Sequence, residues 1–380
     1  MYTLCQKQRL YNLQRFNVTY KIFTDSETNA KNIAKSISHE NTVEIPSEIV
    51  PDGFIKDEIV GKIEKIYREK EFFLITISYL NKIVGSEINQ LFNVIHGNTS
   101  MYQNVRVVEV ILNSELEKIF PGPKFGINGI RKLIGHRNSI LCPVLKPQGF
   151  SSDELATLAY EFIVSGADMI KEDHNLTNQD YSTYRDRIEK ITSAVKKANK
   201  ETGKRAMYFP HISGNFETLL DDVDFAINVG VDGIMLIPSL IGYNFTNYIS
   251  KNKKYNLPIL SHPSFSGGHV LSNTHGIDHG VYYGTMQRIL GADMSIFPNT
   301  GGRFEFTKDQ CNAISKYCKD NDGFGKKIFP AVGGGMSINT AKDMKLMFGK
   351  DAVYLLGGGL ISHKDNMKNI LNDIRKILDS

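Results

Sequence analysis

The run Met169-Ile170-Lys171-Glu172-Asp173-His174 sets a lysine, two carboxylates and an imidazole directly behind two apolar residues. In an extended run alternate residues face the same way, so Lys171 and Asp173 share a side, and a turn can bring His174 beside them. A carboxylate with an imidazole can bind a divalent ion, and aspartate suits hard Mg²⁺. The plainer alternative is a Lys–Asp ion pair with a surface histidine, and spacing alone leaves both open. Lys146 closes the apolar run Pro143-Val144-Leu145. A lysine so placed can act as a general base or hold an enolate, or it can simply reach solvent. His262, in Leu260-Ser261-His262-Pro263, is either a proton shuttle or a hydrogen-bonded core histidine.

Two glycine clusters stand near the C-terminus, Val332-Gly333-Gly334-Gly335 and Leu356-Gly357-Gly358-Gly359. Without a Cβ in the way, backbone N–H groups can close on an oxyanion. One triple glycine would be only a tight turn; a pair, each closing an apolar run, favours a phosphate site.

The elements that must position these groups follow from the apolar pattern. After Arg137, short apolar runs begin near Ile140, Ala167, Ala206, Gly233, Pro258, Asp293, Lys327 and Ala352. Helical segments separate most of them, for example residues 152–165, 184–202 and 339–348. Apolar strands alternating with amphipathic helices predict a parallel sheet covered by helices, and eight units in roughly 240 residues match a closed (β/α)8 TIM barrel. An open doubly wound sheet is the alternative, but no G-x-G-x-x-G follows the first strand. In such barrels chemistry sits at the C-terminal strand ends, and phosphate commonly lies after strands 7 and 8, where the two glycine clusters fall. Other polar strand ends are His211 and the stretch from Asn299 to Arg303.

Upstream, β-rich runs at 72–77 and 105–111 flank a helical reading at 82–94, an α+β pattern. The turn-forming stretch Pro121-Gly122-Pro123-Lys124-Phe125-Gly126 marks the boundary, so the expected division is an N-terminal domain at 1–125 and a barrel at 126–380.

Composition narrows the function classes. A 41% hydrophobic, 23% charged chain of 380 residues is an ordinary globular sequence. The net charge of +4 is small, and the lysines form no dense basic run, so no nucleic-acid partner is expected. Cys5, Cys142, Cys311 and Cys318 make no C-x-x-C pair, which suits a reducing cytoplasm and neither a zinc site nor a disulfide framework. Residues 1–20 lack an apolar signal segment and no run is long enough to span a membrane, so the expectation is a soluble, cytoplasmic protein without a membrane partner.

These residues resemble the Rubisco large-chain family. Leu145-Lys146-Pro147 is similar to the lysine-proline that ends its first barrel strand, and Lys171-Glu172-Asp173-His174 to its K-x-D-E row. Tyr184-Arg185-Asp186-Arg187 resembles its W-R-D-R, His262 its fifth-strand histidine, and the glycine clusters its phosphate loops. Gly97-Asn98 resembles the pair that its N-terminal domain lends to a neighbour's active site, and Phe120-Pro121 onward its F-P-G-P-x-F-G entry to the barrel. The likeness spans nearly the whole chain. It implies a ferredoxin-like α+β domain before the barrel, a homodimer with shared active sites, and Mg²⁺, or Mn²⁺ in its place, held by a CO2-derived carbamate on Lys171 with Asp173 and His174. It further implies catalytic roles for Lys146, His262, Arg303 and Asn98, and phosphate binding at Gly333, Gly334, Gly335, Gly357 and Gly358.

The departures bear on activity. Gln148 stands where a carboxylase carries a second lysine, Pro263 where it holds the far phosphate with arginine, Arg303 where its sixth loop ends in lysine, and His174 where a glutamate binds metal. The resemblance is therefore to the form IV, Rubisco-like proteins, which do not fix CO2. It implies enolisation and isomerisation of a phosphorylated ketose such as a methylthioribulose phosphate. The alternatives are decarboxylation or transcarboxylation of a phosphorylated 3-oxo acid sugar (the 3-oxo-isoapionate phosphate type) and, in a different class, a non-catalytic phosphate-ligand sensor.

Overall fold

A computed structural model describes residues 13–304, 306–320, 325–362 and 366–380. Strands β1 (Arg15–Ile22), β2 (Lys62–Arg68), β3 (Phe73–Leu80) and β4 (Val105–Ile111) form an antiparallel sheet in the order β4-β1-β3-β2. With helix Glu27–Glu40 between β1 and β2, and helix Ile88–His96 between β3 and β4, this is the expected ferredoxin-like arrangement. Every second residue of β1 is buried, so the sheet packs one face on its helices and leaves the other to solvent. The helix expected at 82–94 is shorter and later: a 3₁₀ turn at Asn81–Ile83, then the helix from Ile88. Gly85, at φ 62°, takes a left-handed conformation that interrupts the run.

The barrel strands are β5 (Ile140–Leu145), β6 (Met169–Glu172), β7 (Met207–Phe209), β8 (Ile234–Leu236), β9 (Ile259–Ser261), β11 (Met294–Pro298), β12 (Phe329–Gly333) and β13 (Val353–Leu356). All eight begin at or within three residues of their predicted starts. They are ordered β7-β6-β5-β13-β12-β11-β9-β8, and a parallel bridge between His211 and Met235 closes the ring between β7 and β8. The short strand β10 (Gly276–Ile277) leaves the barrel and pairs in parallel with β4, extending the N-terminal sheet.

Inward residues such as Cys142, Met169, Phe209, Met235, Leu260, Ile296, Ala331 and Leu355 fill the barrel. Ile127, Ile130 and Ile134 of helix Gly126–Ile134 pack into the same cluster. A recurrent aspartate sets the strand stagger: the Oδ2 atoms of Asp168, Asp232 and Asp293 accept from the N–H of Leu141, Tyr208 and Ile259 on the preceding strands. Oδ1 of Asp293 also accepts from Phe125 and Gly126, which fastens that helix to the barrel wall. Burial pushes this carboxyl up to about 6.

Cys142, Cys311 and Cys318 are buried free thiols, while Cys5 lies outside the described residues. No helix among the described residues is long and apolar enough to cross a membrane.

Candidate active site

The inward alternation that fills the barrel continues past the strand ends and turns polar there. From β5 it runs Cys142, Val144, Lys146, and from β6 Met169, Lys171, Asp173. The register Val144↔Lys171 therefore carries Lys146 up beside Asp173, and Lys146 Nζ lies 3.5 Å from Asp173 Oδ2. One step deeper, Lys171 is only 3% exposed, and its Nζ donates to the Glu172 carbonyl at 2.6 Å. Burial lowers the Lys171 amine to about 8, against the pull of Asp173. Burial works the other way on Asp173, but the Asn175 N–H together with Lys171, His174 and Lys146 holds its carboxyl below the usual range.

His174 Nδ1 lies 3.3 Å from Asp173 Oδ1, and its ring stacks on His262 with centroids 4.5 Å apart. Burial lowers both imidazoles, His262 strongly, with Lys171 adding to the effect, so His262 is neutral at ordinary pH. Glu172 points the other way, out of the barrel. There it is fully buried and accepts from Arg187 Nε at 2.7 Å, the Tyr208 hydroxyl at 2.7 Å and the His211 N–H at 2.9 Å. Removing one partner of such a buried pair costs about 3–5 kcal/mol, so Arg187 acts as a brace that fixes the strand carrying Lys171 and Asp173.

One cavity of about 1460 Å³ gathers these groups and the glycine loops. Its lining includes Lys146, Lys171, Asp173, His174, His262, Arg303 and all six glycines of the two clusters. Gly334 and Gly335 have φ of 88° and 74°, which favour glycine. A Cβ at Gly358 would meet nothing within 4 Å, and one at Gly357 would lie 3.7 Å from Lys146 Nζ. The glycine loops thus border open space beside the lysine.

Of the residues expected to act in catalysis, metal binding or phosphate binding, Asn98 alone lies outside this cavity. It is exposed on the N-terminal domain, where Nδ2 donates to Glu40 and Glu44 at 2.9 and 3.2 Å.

Sequence reasoning missed the other side of the mouth. Phe265, Leu271 and Phe304 line the cavity while 76%, 61% and 62% exposed, an apolar rim on the loops after β9 and β11. Phe265 has φ 65°, a strained value for a non-glycine residue and the local sign that this loop is held in shape. Asn299 also went unassigned: it is 5% exposed with Oδ1 unpartnered at the end of β11.

Among the described residues no three His, Cys, Asp or Glu side chains converge as a metal site. Asp173 and His174 alone are too few. The donor set fits a divalent cation once Lys171 supplies an oxygen, and its buried, lowered amine is suited to adding CO2 as a carbamate.

Comparison with known proteins agrees with this geometry. Residues 126–379 match the family described as ribulose bisphosphate carboxylase large chain, catalytic domain. The chain is 30% identical to the 5-methylthioribulose-1-phosphate isomerase of Rhodospirillum rubrum over 93% of each chain. It is 32% identical to ribulose bisphosphate carboxylase-like protein 1 of Rhodopseudomonas palustris, over 92% of this chain and 93% of that protein. The crystal structure of a Rubisco-like protein from Rhodopseudomonas palustris superposes with a TM-score of 0.86 at 26% identity, covering 97% of this chain and 98% of that one. A chain whose barrel, residues 126–379, matches this family and whose relatives align with more than nine-tenths of it belongs to the Rubisco large-chain family and is a Rubisco-like enzyme.

Proposed function

We propose that this enzyme isomerises a phosphorylated ketose with an apolar tail, of the 5-methylthioribulose 1-phosphate kind, by enolisation and reprotonation. One observation carries the reading: a single cavity holds Lys146, Lys171 and Asp173 between a glycine-lined wall and a rim bearing Phe265, Leu271 and Phe304. The glycine loops take the phosphate, the rim takes the tail, and the reacting carbons lie over the lysines. On the loop after β9 the rim gives a second phosphate no cation, since Pro263, Phe265 and Leu271 stand there. The relative from Rhodospirillum rubrum is named for 5-methylthioribulose 1-phosphate, which carries one phosphate and needs no such cation.

Lys146 removes the proton beside the ketone, and the ammonium so formed returns it at the neighbouring carbon, while His262, held neutral by burial, offers a hydrogen bond to the enediolate. A divalent cation on Asp173, His174 and a Lys171 carbamate would supply polarisation of the ketone oxygen. His174 makes that set one negative charge poorer than a three-anion site, which favours Mn²⁺ relative to Mg²⁺. Asn98 completes the site of a partner subunit in a homodimer.

The exposed Arg303 at the mouth supports a second reading, in which its guanidinium holds the carboxylate of a phosphorylated 3-oxo acid that is decarboxylated to the same enolate. Both readings are separated by incubating the enzyme with each substrate class in D2O and following products by mass spectrometry. Deuterium uptake with isomerisation of the ketose phosphate supports the lead, and CO2 release from the 3-oxo acid supports the second. Absence of both, with tight ligand binding, returns the protein to a sensor.

The phosphate assignment gives a separate expected result. Gly358→Val leaves the fold intact, because the position is open and its backbone is not left-handed. It is expected to raise the KM about a hundredfold by filling the oxyanion space. Unchanged KM in a folded variant would move the phosphate elsewhere.

A further inference from the structure

Arg106 lies on β4 of the N-terminal sheet, 6% exposed, and its side chain leaves that sheet for the barrel. Its guanidinium donates to three main-chain carbonyls of one segment: Val270 at 3.2 Å, His275 at 3.1 Å, and Ser272. Nη2 also donates to Nδ1 of His279 at 3.2 Å, and the Asp278 carboxylate lies 3.8 Å from Nε. A rigid planar fork of five donors can hold so many acceptors at once, whereas an ammonium on a flexible stem cannot.

The clamped segment belongs to the loop after β9, which begins at His262 and carries Phe265 and Leu271 of the apolar rim. A second branch reaches the other rim loop. Because His279 Nδ1 accepts from Arg106, its proton sits on Nε2, which fixes the tautomer. The same ring meets Phe306 edge-on at 4.7 Å, and Phe306 bridges Thr300 to close the loop that bears Arg303 and Phe304. Tyr283 ties the two branches together: its hydroxyl is 2.7 Å from Ser266 Oγ, and its ring is 6.0 Å from that of Phe306.

We propose that Arg106 is a positioning residue for the reaction, which sets the loops after β9 and β11 from the N-terminal sheet so that the apolar rim is formed before substrate arrives. The proposal rests on the reading above only in taking the rim as the seat of the substrate's tail. Arg106 touches neither the cavity nor the reacting groups. Lys146, Lys171 and Asp173 stand on other strands, and the His262 N–H is held by the Leu236 carbonyl at 2.9 Å. Loss of the clamp therefore loosens the rim and leaves the chemistry in place.

The test uses the full-length protein with Arg106→Gln and Arg106→Lys. In hydrogen–deuterium exchange without ligand, residues 263–275 and 300–304 are expected to exchange faster in Arg106→Gln, with β5 and β6 as protected as before. With the ketose phosphate, KM is expected to rise about tenfold while kcat stays within about twofold, a loss confined to binding. Arg106→Lys falls between, and it carries the test if the glutamine variant does not fold. Unchanged exchange in both segments overturns the clamp, and so does faster exchange with unchanged KM. General loss of protection in both variants makes Arg106 a structural residue and overturns the proposal as well. The exchange comparison needs no substrate, so an inactive wild-type enzyme would refute the proposed reaction while leaving the clamp to be decided by exchange.

Discussion

Lys171→Arg is expected to abolish turnover, by at least about a thousandfold, although it keeps a positive charge at the same place. Lys171 lies 3% exposed on the barrel floor beside Asp173. If it works as an ammonium that holds the enolate, arginine should preserve part of the activity. If it works as a carbamate, the amine must first be neutral, and arginine cannot follow. Burial brings the amine to about 8. Its neutral fraction then rises from about a tenth at pH 7 to about nine-tenths at pH 9, so at a fixed concentration of dissolved CO2 activation should be close to tenfold faster at the higher pH. The sign is diagnostic, since an ammonium role would weaken over the same interval. Activity is measured after EDTA treatment, with and without bicarbonate, and with Mg²⁺ or Mn²⁺ restored. Full activity in EDTA with no bicarbonate response would reassign Lys171 as a cationic stabiliser.

Lys146→Met should be nearly as damaging, lowering kcat about a thousandfold by removing the base at the cavity wall. Its larger use is in a mixture. Asn98 stands outside its own chain's cavity and is exposed beside Glu40 and Glu44, so any part it takes in the reaction is played in a partner. In a hybrid of Lys146→Met and Asn98→Ala subunits one site carries both changes and the other carries neither. Random re-pairing of the two inactive variants should therefore restore about a quarter of the wild-type activity. Mass spectrometry of the intact assemblies verifies that subunits have exchanged. No recovery among exchanged hybrids would confine each site to one chain.

The ring of eight strands was legible because each strand is a short apolar run between helices, a local signal. The same alternation also carried Lys171 and Asp173 to one side, as the cross-strand pairing of Lys146 with Asp173 bears out. The helix Tyr184–Thr202 was placed to the residue, and Gly203, at φ 68°, ends it in a left-handed conformation. The helix after β3 was misjudged because one left-handed glycine outweighs an otherwise helical pattern.

What the sequence by itself determined is the order of parts: an α+β segment, then a barrel, with lysines, an aspartate and glycine clusters at successive strand ends. Those follow from periodicities of two and of 3.6 residues, which are written into neighbouring positions. Tertiary structure alone decided who meets whom. His174 stacks on His262, Glu172 turns outward to Arg187, Phe265 and Phe304 share a rim, and Arg106 reaches carbonyls more than 160 residues away. No local pattern encodes such contacts, because they are set by barrel closure and by the docking of one domain on another, where the partner of a side chain is chosen by the packed whole.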